Sequence, residues 1–170
     1  MNRTVRISVL VLAGIVAVLA FLYANDSDDR LQSQRDAVIF LSVDGERVAE
    51  VGFDAIQALE HREFEETLQS SGSPARDHEY VGVALRDLLE SEGIDLGSAR
   101  QVIATAADGY TVAMDASEVL AEDNVYLVHT VDGEPLGSRE EGGSGPYQVI
   151  IRSDQFGQRW TKYLMEIEVR

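Results

Sequence analysis

The sequence contains no cysteine. A chain without thiols cannot form disulfides, iron–sulfur clusters or thiolate metal sites, and it cannot use a cysteine nucleophile. Its three histidines, His61, His78 and His129, lie far apart, and no pair has the i, i+4 spacing typical of a zinc-binding helix. The sequence therefore predicts no metal ligands, and the redox compartment has to be inferred from the N-terminus.

Basic residues are also scarce, and Lys162 is the one lysine. The chain has 14 Lys+Arg and 30 Asp+Glu, which gives a formal net charge of −16. The first 24 residues contain Arg3 and Arg6 and no acids, so the rest of the chain carries 12 basic and 30 acidic groups, or −18. Such a field repels phosphate backbones, which argues against a nucleic-acid partner.

One apolar run stands out in this acidic chain, at residues 7–24. Its 18 uncharged residues approach the length of about 20 that spans a bilayer. Because Arg3 and Arg6 precede the run, the positive-inside rule places the N-terminus in the cytoplasm and the rest of the chain outside. The run favours an uncleaved anchor, with a cleaved signal peptide and a buried core helix as alternatives. Anchor and signal both predict a domain that works in the periplasm or on the cell surface.

Three parts follow from this composition. Residues 1–24 are predicted to form the anchor or signal segment, residues 25–36 a polar acidic tether, and residues 37–170 one folded domain. Hydrophobic residues make up 45% of the chain, which is enough to bury a core and excludes a disordered chain.

Short strands joined by tight turns dominate the predicted domain. Asp44-Gly45, Asp108-Gly109 and Asp132-Gly133 separate β-rich runs, and Asp-Gly between such runs is a hairpin signal. Short helices are predicted over 53–61, 83–93 and 117–121, loops over 72–78 and 137–146, and closing strands over 147–152 and 160–169. The pattern predicts an α+β fold with mixed, largely antiparallel sheets and a few short helices, and not a doubly wound nucleotide fold.

Several motifs stand in a characteristic order. After "SSG" (70–72) come "EYVGVALRDLLESEGI" (79–94), "ADGYTVAM" (107–114), "DGEPL" (132–136), "GGSGPYQVII" (142–151) and "RWTKYLMEIEV" (159–169). In this order they resemble the molybdopterin-binding domain of sulfite oxidases and related extracytoplasmic reductases, in its short, stand-alone version. The resemblance covers residues 38–170. It implies a sulfite oxidase-like fold and molybdopterin as the cofactor.

The resemblance also implies a site. Catalytic members hold molybdenum through a cysteine just before the "Y-x-G-V-x-L" run, where this chain has Ser70 and Ser71. An arginine that often follows the "G-P" element is replaced here by Gln148, and the nearest guanidinium is Arg152. The C-terminal pattern that resembles a phosphate-contacting segment keeps Gly157, Arg159 and Lys162. The implied cofactor-binding set is Ser70, Ser71, Gly72, Tyr110, Gln148, Arg152, Arg159 and Lys162.

The missing thiolate divides the functional hypotheses. A thiolate is a soft anionic donor that fixes the metal, whereas a serine hydroxyl is a weak, hard donor, so classical sulfite oxidation is not expected and no catalytic residue is assigned. The first hypothesis is a membrane-anchored molybdopterin-binding-like domain that binds a pterin or a small anion through the cations Arg152, Arg159 and Lys162. The alternative is a cofactor-free binding or assembly module that reuses the fold.

Overall fold

The computed structural model describes residues 3–68, 75–154 and 157–170, with side chains from Leu10 onward. The helices are α1 (Arg3–Asp36), α2 (Phe53–Gln57), α3 (Leu85–Ser91) and α4 (Ala116–Leu120). The strands are β1 (Ile39–Val43), β2 (Glu46–Val51), β3 (His61–Leu68), β4 (Arg76–Ala84), β5 (Gln101–Ala106), β6 (Thr111–Asp115), β7 (Val125–Val131), β8 (Glu134–Pro135), β9 (Gln148–Ile151) and β10 (Leu164–Val169).

Two five-stranded sheets organise the domain. Sheet A has the strand order β2-β1-β10-β5-β6, and sheet B has the order β3-β4-β7-β8 with β9 also paired to β7. Among the described strands the β1–β10 pair is parallel, and the other pairs are antiparallel. The predicted α+β class with mixed, largely antiparallel sheets is therefore confirmed. The antiparallel pairs of consecutive strands (β1–β2, β3–β4, β5–β6 and β7–β8) follow from short connections, because a tight turn returns a strand beside its predecessor.

Local sequence accounts for the turns and for the ends of the short helices. Asp44 and Gly45 have φ angles of 50° and 85°, the left-handed conformation that a two-residue hairpin turn requires. Gly93 follows α3 with a φ of 76°, as predicted for a glycine C-cap. Asp115 and Glu118 form a capping box at the start of α4, so the polar groups at that end of the helix are satisfied.

One cluster of buried apolar side chains joins both sheets to α3. Ile39 and Ile167 come from sheet A, Val83 and Leu127 from sheet B, and Leu88 from α3, and each is 0% exposed. Burying a side chain of this size stabilises the fold by roughly 1.5–3 kcal/mol before entropy is counted. The sheets are thus held together by a common core.

The segment predicted as a tether is helical. Residues 25–36 continue α1 without a break. Pairs at i, i+4 spacing support the helix, since Arg30 lies 2.7 Å from Asp26 and Gln32 donates to Asp36 at 2.9 Å. Gln34 is buried against the domain, which a sequence pattern cannot reveal. The three-part division of the chain stays a prediction.

Further boundaries differ from the sequence prediction. The helix predicted over 53–61 ends at Gln57, and β3 begins at His61. The loop predicted over 72–78 ends earlier, because β4 begins at Arg76 and pairs there with Leu68. The last strand begins at Leu164, four residues later than predicted, since Tyr163 has a φ of 54° and takes the chain out of the extended conformation. Tertiary contacts set the last two boundaries.

Candidate functional site

An aromatic cluster formed by sheet B and Trp160 lies beneath Arg152, one of the predicted site residues. Phe64 and Tyr126 have ring centroids 4.6 Å apart, and Trp160 meets Tyr80 edge-on at 5.9 Å. All four side chains are buried, and the Trp160 indole donates to the Ile151 carbonyl oxygen at 3.1 Å. Such offset and edge contacts stabilise a packed core. The cluster is therefore a filled support for the site and not an open stacking platform.

Arg152 follows β9 and lies over this cluster. Its Nε donates to Glu66 at 2.7 Å, its Nη1 contacts Asp123, and its guanidinium carbon lies 5.0 Å from the centroid of the Phe64 ring. Hydrogen bonds from the Tyr126 hydroxyl and from Arg152 lower the pKa of Asp123, which keeps that carboxylate ionised. Two carboxylates thus neutralise the first predicted anion-binding cation.

Arg159 is held in the same way. It donates to both carboxylate oxygens of Glu118, at 3.1 and 2.8 Å, and its Nε lies 3.0 Å from Asp154 Oδ2. The hydrogen bonds from Arg159 lower the pKa of Glu118, and the two carboxylates raise the pKa of Arg159. Bidentate pairing of this kind fixes the guanidinium plane. The second predicted cation is therefore also engaged within the chain.

The remaining predicted residues are more dispersed. Tyr110 is 46% exposed, and its hydroxyl donates to the Gln158 carbonyl oxygen at 2.8 Å, beside Arg159 in sequence. Gln148 is buried in β9 opposite Val128. Lys162 is partly buried and, within the described residues, has no carboxylate at ion-pair distance. The predicted residues Ser70, Ser71 and Gly72 lie outside the described residues.

A polar cleft and a histidine–aspartate pair were not among the predicted site residues. The cleft, of about 870 Å³, runs along β3, and residues that include Glu63, Glu65 and Asp123 give it an acidic lining. The alternating acids of β3 were visible in the sequence, but the segment after α4 that completes the cleft was not. His78 Nδ1 lies 2.7 Å from Asp132 Oδ2, and this hydrogen bond lowers the pKa of Asp132. A local sequence pattern cannot reveal a contact between residues that are 54 positions apart.

The residues present do not fit a molybdenum centre held by a protein thiolate. The sequence has no thiol, and serine is the residue type at the matching positions. Arg152 and Arg159 could bind a phosphate only through guanidinium N–H groups that are free, but each of them contacts two carboxylates. An anion that approached either arginine would have to displace carboxylates in a strongly acidic domain. The expected cluster of three anion-attracting cations is thus reduced to Lys162.

We expect Arg159→Ala to lower the free energy of unfolding by about 2 kcal/mol, because Glu118 and Asp154 lose their counter-charge. The partial exposure of the Arg159 side chain keeps this cost below that of a fully buried ion pair. Denaturant unfolding of the full chain in detergent measures it. Arg62→Ala is the matched control, since its contact with Glu60 is exposed and its effect should stay within about 0.5 kcal/mol. Equal stability of the two variants would contradict a structural role for Arg159.

Comparisons with known proteins agree with this architecture. A family model described as "Oxidoreductase molybdopterin binding domain" matches residues 34–170. The crystal structure of the sulfane dehydrogenase SoxCD from Paracoccus pantotrophus is similar, with a TM-score of 0.65 and 16% sequence identity. The similarity covers 81% of this chain and 39% of that chain, so the present chain spans well under half of its length. No curated protein matches the sequence.

Proposed function

Since this chain belongs to the oxidoreductase molybdopterin-binding domain family, we propose that it is a membrane-attached domain outside the cytoplasm that keeps the family's scaffold without its cysteine-dependent molybdenum reaction. Its role in this proposal is to bind a partner or ligand. Family membership supports the scaffold, and a scaffold does not fix the chemistry performed on it.

One observation carries the loss of the metal reaction. The two arginines at the expected phosphate side, Arg152 and Arg159, are each held by two carboxylates of the same chain. The absence of any cysteine adds to this, because a thiolate both fixes molybdenum and sets its potential. Both features support a domain that has no thiolate for the metal and whose two arginines form internal ion pairs.

Membrane attachment is supported by the exposed apolar surface of α1. The helix has a candidate span within Leu10–Asp36, and none of its apolar window is buried in the domain. Its large side chains from Leu10 to Tyr23 are all exposed. A continuous apolar surface of this length is unfavourable in water and typical of a segment that contacts lipid. Arg3 and Arg6 favour the orientation with the domain outside.

The test is the metal and pterin content of the full chain, extracted with detergent from membranes of its own host. We expect no molybdenum, tungsten or pterin near one equivalent per chain. Near-stoichiometric metal would overturn the proposal. The intact mass of the same sample tests whether the N-terminal segment is retained, since removal of residues 1–24 would favour the signal-peptide alternative.

A cysteine placed at the position of the missing ligand is expected to change nothing. We predict that Ser71→Cys leaves the molybdenum content of host-purified protein at its background level, because the proposed domain holds no molybdenum cofactor that a new thiolate could ligate. Ser70→Cys is the matched control, since the resemblance matches the family's ligand position to Ser70 or Ser71. A rise in bound molybdenum in one of the two variants would show that a pterin cofactor is still held.

A second candidate function is binding of a pterin or another small anion without a protein ligand to metal. Lys162 favours it, because this cation has no carboxylate partner within the described residues. The test is titration of the full chain with molybdopterin, with inorganic phosphate as a second probe. Binding that is lost in Lys162→Gln would support this function, and the absence of binding to the parent chain would exclude it.

A further inference from the structure

One face of α1 carries a polar stripe that begins at the C-terminal end of the apolar run. Tyr23, Ser27, Arg30 and Gln34 are spaced by four, three and four residues, which places them on the same side of a helix. All four contact the domain. The stripe is therefore a docking surface that follows directly from the end of the apolar segment.

Glu134 binds the N-terminal part of the stripe, Tyr23 and Ser27. The Tyr23 hydroxyl and the Ser27 hydroxyl both donate to its carboxylate, the latter at 2.7 Å. These two hydrogen bonds lower the pKa of Glu134, so the acceptor stays ionised. One helical turn further, Arg30 Nε lies 3.5 Å from Glu141. Charge-assisted hydrogen bonds are stronger and more directional than neutral ones, which fixes the rotation of the helix against β8.

Gln34 forms the C-terminal end of the stripe, and its side chain is 1% exposed. Its side-chain amide donates to the carbonyl oxygens of His129 and Pro146, the second at 3.3 Å. The Tyr147 hydroxyl donates in return to the Gln34 carbonyl oxygen at 3.1 Å. Buried polar groups that satisfy one another in this way are costly to separate. The helix is thus held at both ends of the stripe.

These contacts define which end of sheet B lies next to the Tyr23 end of the stripe and which lies next to Gln34. A helix rises 1.5 Å per residue, so Gln34 lies roughly 16 Å further along the axis than Tyr23. On sheet B, Gln34 contacts His129 within β7. Tyr23 contacts Glu134 in β8, which pairs with Val131 at the end of β7. Because Asp132 meets His78 near the start of β4, that start lies toward the Tyr23 side.

We infer that α1 is a docked stalk that fixes the domain's orientation, so that the end of sheet B formed by the start of β4 and the β7–β8 turn faces the headgroup layer of the bilayer. The inference rests on the membrane attachment proposed above. From Arg76 to Ala84, β4 covers roughly 26 Å, and α3 follows at the far end. A ligand of the His78–Asp132 region would then be reached from the membrane side.

The cysteine-free chain allows a direct test. Arg76→Cys and Glu92→Cys each place one thiol at an exposed site, at the proximal end of β4 and after α3 respectively. The full chain, labelled with a thiol-reactive fluorophore, is reconstituted in phosphatidylcholine vesicles that contain headgroup spin-labelled lipid. We expect several-fold stronger quenching at position 76. Equal quenching would overturn the inference, whereas a chain that does not float with the vesicles would instead contradict the membrane attachment.

Glu134→Ala tests whether the docking stripe causes the orientation. In the labelled background this variant should reduce the difference in quenching between positions 76 and 92, because Tyr23 and Ser27 lose their acceptor. Glu140→Ala, an exposed acid in the loop before β9, is the matched control and should leave the difference unchanged. A difference that survives Glu134→Ala would show that the stripe does not set the orientation.

Discussion

Replacement of Trp160 by alanine is expected to lower the free energy of unfolding by about 4 kcal/mol, the largest effect that we predict for a single side chain. The ring is 4% exposed and packs edge-on against Tyr80. Gly157 lies directly against it, since a Cβ at that position would come within 2.9 Å of the indole. Alanine would leave a cavity that this backbone cannot close without a shift. Denaturant unfolding of the full chain in detergent measures the change.

Trp160→Phe separates the two contributions of the indole. Phenylalanine fills most of the cavity but loses the hydrogen bond to the Ile151 carbonyl oxygen, so we expect a loss of about 1–2 kcal/mol. If Trp160→Ala were no more destabilising than Trp160→Phe, the ring would not be a core element. The segment around it would then be free to serve as an open ligand platform.

Acidification is expected to remove about 3 kcal/mol of stability through His129 alone. Burial, with a smaller contribution from the nearby His61 ring, lowers the pKa of His129 from 6.5 to about 4. The ring is 7% exposed, and within the described part of the chain its Nε2 has no hydrogen-bond partner. Between pH 6.5 and about 4 the unfolded chain therefore binds the extra proton, so stability falls as the pH falls through this window.

His129→Leu isolates this effect. The leucine is similar in size and cannot titrate, so the difference in unfolding free energy between variant and parent should be constant above pH 6.5 and shift in favour of the variant below it. Unfolding of both full chains across the pH range gives this difference directly. A difference that is independent of pH from neutrality to pH 4 would mean that His129 is accessible to protons in the folded state.

The sequence predicted the residues of the site but not the ion pairs that hold its arginines. Motif positions selected Gln148, Arg152, Arg159 and Tyr110 as site residues. In the structure, the Tyr110 hydroxyl donates to the carbonyl oxygen of Gln158, the residue before Arg159. The charges of Arg152 and Arg159 were expected to be free to bind an anion. A sequence gives the residue type at a position but not the carboxylates that fold against it, and the partners of Arg152 lie 86 and 29 positions away, at Glu66 and Asp123. The domain's excess of acids favours such pairing for these two partly exposed arginines.

The sequence by itself determined the features that depend on neighbouring residues. Hairpin turns at Asp44-Gly45 and Asp132-Gly133, the end of α3 at Gly93 and the apolar run at 7–24 follow from local conformational preference and hydrophobicity, and the ordered motifs identified the family. Only the tertiary structure decided the state of the arginines and the docking of α1 through Gln34. These features depend on groups that meet across sheets, and their energies come from burial and pairing, which no local pattern encodes.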